Sequence, residues 1–129
     1  MVVLDTHALL WWALDPEQLS PLAASTLVEM ERVGGYASSI SIWELGIKAQ
    51  RGKLELPISI DKLAHRIDAH SAVELLPVDT AIWLRSLSLA WDHRDPADRV
   101  IVATALSRGV PIVTKDVAIS SFAGVRSIW

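Results

Sequence analysis

The chain has 129 residues, 51% of them hydrophobic, with no cysteine and a formal net charge of −3 from 12 basic and 15 acidic side chains. That length suits one domain and can bury roughly 68% of its unfolded surface, so no staple is required. The missing cysteines exclude disulfides and thiolate metal sites and fit a reducing cytoplasm. The acidic balance argues against a protein that coats nucleic acid electrostatically, so any nucleic-acid chemistry must sit at a local site. The apolar run after Met1 is broken at Asp5 and has no basic segment before it, so no signal peptide is expected. No stretch reaches the ~18–20 apolar residues of a membrane span, and no membrane partner is expected.

In chain order, Val2-Val3-Leu4 is apolar at every position, as a strand covered on both faces should be. It is expected to lie centrally in a parallel sheet. Asp5 then stands at its carboxyl end, the edge at which open α/β sheets bind ligands. Thr6 to Leu14 is predicted helical and ends at Asp15-Pro16. Ser20-Pro21 reads as an N-cap with Pro in the first helical position. That helix should run to about Val33 before Gly34-Gly35, burying Leu22, Leu27 and Met30. Tyr36 to Ile40 is a strand candidate. Ser41-Ile42-Trp43-Glu44 then opens a helix to about Arg51, with Ser41 and Glu44 at capping-box spacing.

Lys53 to Pro57 is an extended connector, and Ser59 to His70 a helix with Ile60, Leu63, Ala64 and Ile67 at core spacing. Val73 to Leu76 is a strand closed by Pro77. Asp79 caps a helix to Leu89. Trp91 to Asp95 is a polar loop. Asp95-Pro96-Ala97-Asp98 opens a helix whose turns from Val100 to Leu106 are apolar nearly all round, the mark of a buried helix. Arg108-Gly109 ends it. Val110 to Val113 and Val125 to Ile128 are strands, with a turn at Thr114-Lys115-Asp116. The alternation predicts a three-layer α/β/α sandwich with a mainly parallel central sheet.

The sequence has no glycine-rich phosphate loop, no G-x-S-x-G elbow and no cysteine nucleophile. His65 and His70 are five apart on a helix, on different faces, and read as surface or structural. The acids remain. Asp5, Glu44, Asp98 and Asp116 all fall at strand ends or helix starts. Such a cluster can hold one or two Mg²⁺ or Mn²⁺ ions, which take carboxylate oxygens and keep several waters. Each acid also has a structural reading. Glu44 completes the capping box, Asp95 and Asp98 suit a first helical turn, and Asp5 and Asp116 can cap the helices after them. Lys48 stands four residues after Glu44, the spacing of a helix ion pair, or else of a phosphate contact. Arg51, Lys53, Arg94 and Arg99 are solvated surface charges or track a nucleic-acid backbone. The rings of Trp11, Trp12, Trp43, Trp83 and Trp91 read as core or dimer contacts ahead of base stacking.

Taken together, Leu4-Asp5-Thr6-His7-Ala8-Leu9-Leu10-Trp11, Ser41-Ile42-Trp43-Glu44-Leu45, Gly52-Lys53-Leu54-Glu55-Leu56-Pro57, His93-Arg94-Asp95-Pro96-Ala97-Asp98-Arg99, Ala103-Thr104-Ala105 and Thr114-Lys115-Asp116 give a chain that resembles the PIN-domain ribonucleases. Within them it is similar to the VapC-type toxins of toxin–antitoxin pairs. The resemblance runs nearly end to end and implies one PIN domain over residues 1–129. It fills the family's four acidic positions with Asp5, Glu44, Asp98 and Asp116, as metal ligands and catalytic groups. It implies Mg²⁺- or Mn²⁺-dependent hydrolysis of RNA without a covalent intermediate. Thr6, Asp95 and Thr114 are then outer partners of the site, and Lys48 and Arg99 candidate phosphate contacts. A cytoplasmic homodimer held by a cognate antitoxin is expected. A nuclease of RNA or DNA processing and a non-catalytic domain are the alternatives. A receiver-type domain with Lys115 after a late strand fits poorly, because only Asp5 follows the first strand.

Overall fold

The computed structural model describes residues 1–129. Five strands form one all-parallel sheet: β1 (Val3–Leu4), β2 (Gly35–Ser38), β3 (Val73–Leu76), β4 (Ile112–Val113) and β5 (Ser127–Ile128). Their order is β3-β2-β1-β4-β5, so the first strand is the middle one. The helices are α1 (Thr6–Leu14), α2 (Pro21–Val33), α3 (Ile40–Gln50), α4 (Ile60–Ala69), α5 (Thr80–Ser88), α6 (Pro96–Arg108) and α7 (Val117–Ser120). A 3₁₀ turn at Pro16–Gln18 follows α1.

The side-chain alternation of β1 divides the interior in two. Val2 and Leu4 face a core built from α1, α2, α4 and Leu45 of α3. Val3 faces a second core with Val100, Ile101, Val102 and Ala105 of α6 and Ile119 of α7. The fold is therefore the expected α/β/α sandwich, with its sheet parallel throughout. Residues Val100 to Ala105 are buried without a break, as their all-round apolarity requires. Gly109 stops α6 with φ +66°, the left-handed C-cap that a side chain resists. Gly35 is needed for space: a Cβ there would stand 2.7 Å from the Met30 side chain.

Several expectations are corrected. Leu22 points outward, 56% exposed; Ala23, Leu27 and Met30 are the buried stripe of α2, and Leu22 lies about 100° round from Ala23. The second strand covers Gly35–Ser38 instead of Tyr36 to Ile40. Ser38 Oγ accepts from the Ile40 amide at 3.2 Å, Ser39 is already in the αR region, and α3 starts at Ile40. Ser41 is thus inside the helix and caps nothing, so the Ser41–Glu44 capping box does not form. Strand β4 begins two residues later than expected, because Pro111 has no N–H to give the ladder; its carbonyl still accepts from Val3 at 2.9 Å. Strand β5 is confined to its last two predicted positions. The short helix α7 is an addition to the predicted elements, and Asp116 caps it.

Candidate functional site

Strand β1 leaves for β2 on one side and pairs with β4 on the other. The order reverses there, and a crevice opens beyond the carboxyl ends of β1 and β4, where such sheets take ligands. Asp5 stands at its centre. Its backbone amide donates to the Val113 carbonyl at 3.1 Å, which fixes the residue at the end of the ladder. Its Oδ1 accepts from the Ala8 amide at 2.8 Å, capping α1. Its Oδ2 accepts the hydroxyl of Thr114, the residue after β4. Thr114 is fully buried, and its Oγ1 also accepts from the Asp116 amide at 2.9 Å. One hydroxyl therefore joins two of the predicted acids. Asp116 in turn caps α7 through Ile119 at 3.0 Å.

Asp98 arrives from the first turn of α6. Its amide is capped by Asp95 at 3.1 Å, and its Oδ2 meets His93 Nε2 at 2.7 Å. The structural readings of Asp5, Asp95 and Asp116 as caps are all realised. Capping leaves carboxylate lone pairs free at each, so a cap is also a way to fix an acid at the mouth of the crevice.

The electrostatics couple three of the acids. Burial pushes the Asp5 carboxyl above its ordinary range against the pull of its hydrogen bonds to Thr114 and Ala8, and the charge of Asp116 raises it further. Asp98 is pushed up to about 6, first by burial, against its bond to His93, with Asp95 and Asp116 adding repulsion. Asp116 thus acts on both, while the imidazole of His7 pulls Asp5 down and that of His93 pulls Asp98 down.

Glu44 is placed differently. Thr6 Oγ1 and Ser41 Oγ meet at 3.0 Å, which ties the start of α1 to the start of α3, and Glu44 comes one turn after Ser41 within α3. No hydrogen bond joins it to the other three acids. Its partner is Lys48, with Nζ 3.8 Å from Oε1. The helix ion pair expected from the spacing is there.

Arg99, a candidate phosphate contact, is turned away from any such role in this structure. Its guanidinium is turned inward on four backbone carbonyls, those of Ser86, Leu89, Trp91 and His93. Sequence reasoning also misses His93 and Ser41 as site residues. An imidazole five residues before Asp98 in a polar loop is the available signal for the first. The second has the spacing of a cap, which hides it. His65 and His70 are exposed and stand apart from the crevice.

The donor set suits a hard divalent cation. It consists of carboxylate oxygens under mutual repulsion, partly withdrawn from water, with no lysine or arginine neutralising them. No three Asp, Glu or His groups are gathered closely enough to grip an ion alone. An ion that keeps part of its water shell, as Mg²⁺ does, asks for fewer protein oxygens.

Similar proteins have the same organisation. The Rickettsia felis VapBC2 complex, solved with a DNA fragment from its promoter, superposes with a TM-score of 0.68 at 14% identity, over 98% of this chain and 97% of that one. FitAcB from Neisseria gonorrhoeae gives 0.62 at 22% identity, over 98% and 96%. A toxin–antitoxin complex from Klebsiella pneumoniae gives 0.62 at 18%, over 97% and 95%. In sequence, the chain is 28% identical over 131 residues to Ribonuclease VapC22 of Mycobacterium tuberculosis, covering 99% of this chain and 98% of that protein. The PIN domain family model matches residues 2–125, and the chain belongs to the PIN domain family.

Proposed function

We propose that this protein is a Mg²⁺- or Mn²⁺-dependent endoribonuclease and the toxin of a toxin–antitoxin pair. The observation that carries the reading is the crevice between β1 and β4, where the charge of Asp116 acts on both Asp5 and Asp98. The ribonuclease named among its relatives and the toxin–antitoxin complexes among its structural neighbours support it.

In this reading Asp5 and Asp98 are the main metal ligands, and Asp116 and Glu44 assist directly or through water. When bound, a divalent cation lowers the pKa of a coordinated water and polarises the phosphoryl oxygen. The chain's own groups do the placing. Thr114 holds the Asp5 carboxylate by one oxygen, and its bond to the Asp116 amide sets the start of α7. Thr6, bonded to Ser41, fixes the approach of α3 and with it Glu44. Asp95 holds the first turn of α6 through the Asp98 amide, outside the crevice. No side chain is offered as a covalent nucleophile, so attack by water in line with the leaving oxygen should leave a 5′-phosphate and a 3′-hydroxyl.

An antitoxin that silences such a site would do so with an arginine, whose planar fork pairs bidentately with carboxylates. A cytoplasmic homodimer is part of the same reading. The large apolar side chains left exposed on neighbouring surfaces, Trp43 on α3 and Trp83, Leu84 and Leu87 on α5, support a self-contact.

The test is cleavage of labelled RNA by antitoxin-free protein with Mn²⁺ or Mg²⁺, against EDTA and against Asp5→Asn. Cleavage that needs the metal and is lost in the folded variant supports the reading. Cleavage that survives EDTA, or survives Asp5→Asn, sinks it.

A further inference from the structure

The segment between α5 and α6, residues 89–95, has no regular structure, yet it carries the imidazole that touches Asp98. Within it the backbone closes a single bond, from the Trp91 amide to the Leu89 carbonyl at 2.9 Å. What fastens it is one side chain. Arg99 Nε donates to the Ser86 carbonyl at 3.0 Å, Nη1 to those of Trp91 at 2.6 Å and His93 at 2.9 Å, and Nη2 to that of Leu89 at 3.2 Å. The guanidinium thus spans the end of α5 and three points of the segment. The last of these is His93 itself, whose ring reaches back to Asp98, the residue before Arg99. The Trp91 ring stacks on His93 with centroids 4.8 Å apart and on Phe122, just beyond α7, at 5.2 Å.

We propose that Arg99 is a positioning residue for the carboxylate site: it fastens the 89–95 segment so that His93 holds the Asp98 carboxylate toward the crevice. The inference rests on the reading of Asp98 as a metal ligand. The logic is geometric. A loop with so few bonds of its own would sample many conformers, and an imidazole on it would find Asp98 only part of the time. Four charge-assisted bonds from a rigid fork remove that freedom. A lysine keeps the charge but places one ammonium where four separated carbonyls need a plane of donors. Arg99 touches neither metal nor substrate; it acts through His93.

The experiment uses the full chain with its four histidines labelled with ¹⁵N. Arg99→Lys should remain folded and move the His93 ring signals toward those of a solvated imidazole, while the exposed His65 and His70 stay where they are. By calorimetry, its Mn²⁺ affinity should fall roughly 10- to 100-fold, the usual loss when an outer partner of a ligand is removed. The double variant with His93→Ala should bind Mn²⁺ no more weakly than His93→Ala alone, because both act on one carboxylate. A folded Arg99→Lys with wild-type His93 signals and wild-type Mn²⁺ affinity overturns the proposal. Should Arg99→Lys fail to fold, His93→Ala decides: weaker Mn²⁺ binding at an unchanged melting temperature supports the chain of contacts, and unchanged binding overturns it. None of these readouts uses RNA, so a wild type that cleaves no RNA would sink the ribonuclease reading while the imidazole signals still judge this one.

Discussion

Two corners of the crevice are built on different principles. At the first, Asp5, Thr114 and Asp116 are placed by strands: β1 and β4 pair in register, and residues 109 apart in sequence meet through one hydroxyl. At the second, Glu44 is placed by one helix and answered by Lys48 a turn later. At the strand-built corner Asp5 and Thr114 are buried and Asp116 is exposed, and the charge of Asp116 acts on Asp5. The helix-built corner has a local counter-charge. Positional stringency is expected at the first and tolerance at the second.

The largest break should come from Asp98→Asn. It should lower metal-dependent RNA cleavage by more than roughly 100-fold, since the metal's grip on the attacking water goes with its ligand. The same change should raise the melting temperature of the metal-free protein, because a neutral amide escapes the burial penalty of the charge and ends the repulsion from Asp95 and Asp116. Activity and stability falling together would contradict this account of Asp98.

Next is Thr114→Val, nearly the same shape without the hydroxyl. It strips the Asp5 carboxylate of a donor and leaves the Asp116 amide without its acceptor. Mn²⁺ affinity should fall roughly 10- to 100-fold, and urea unfolding should show a loss of about 1–3 kcal/mol. A wild-type Mn²⁺ isotherm would show that Asp5 needs no such support.

A gentler probe is pH. The Asp98 carboxyl is raised from 3.8 to about 6 in the folded chain, so between those values the folded state holds a proton that the unfolded state has released. Its contribution is full below about 4 and is lost as pH rises through about 6. The metal-free protein should therefore become less stable across that interval, while Mn²⁺ affinity climbs as the competing proton leaves. Melting curves with EDTA and with Mn²⁺ should converge at the acid end and separate above pH 6; parallel curves would show that no site carboxylate titrates there.

The smallest effects belong to the second corner. Lys48→Ala should change stability by less than about 1 kcal/mol, as i,i+4 helix ion pairs do. Its cleavage rate should stay within about threefold of wild type. A loss as large as that of Thr114→Val would make Lys48 a substrate contact and end the contrast.

The contrast also explains what could be read from residue order. Ser20-Pro21 and Asp95-Pro96 announce helix starts because a capping acceptor and a proline lacking an N–H solve the same end problem, and both occur as expected. Asp5 and Asp116 are legible for the same reason. Ser41 is not, since a serine three before a glutamate looks the same whether it caps a helix or lies buried within one against Thr6. Leu22 is misplaced because its spacing to Leu27 and Met30 leaves two stripes open, and only the sheet beneath α2 selects one. The roles of His93 and Arg99 depend on the path of a loop, and an aperiodic segment carries no periodicity from which that path could be inferred.

The position of the first strand in the middle of the sheet has a temporal consequence. Asp5 stands 109 residues before the hydroxyl that holds its carboxylate. Until β4 is made and inserted beside β1, the crevice has one wall. A chain interrupted before Thr114 therefore carries the acid without the hydroxyl that holds it. Contacts of such long sequence separation also form slowly. The fold thereby makes completion of this corner depend on the pairing of β4 with β1.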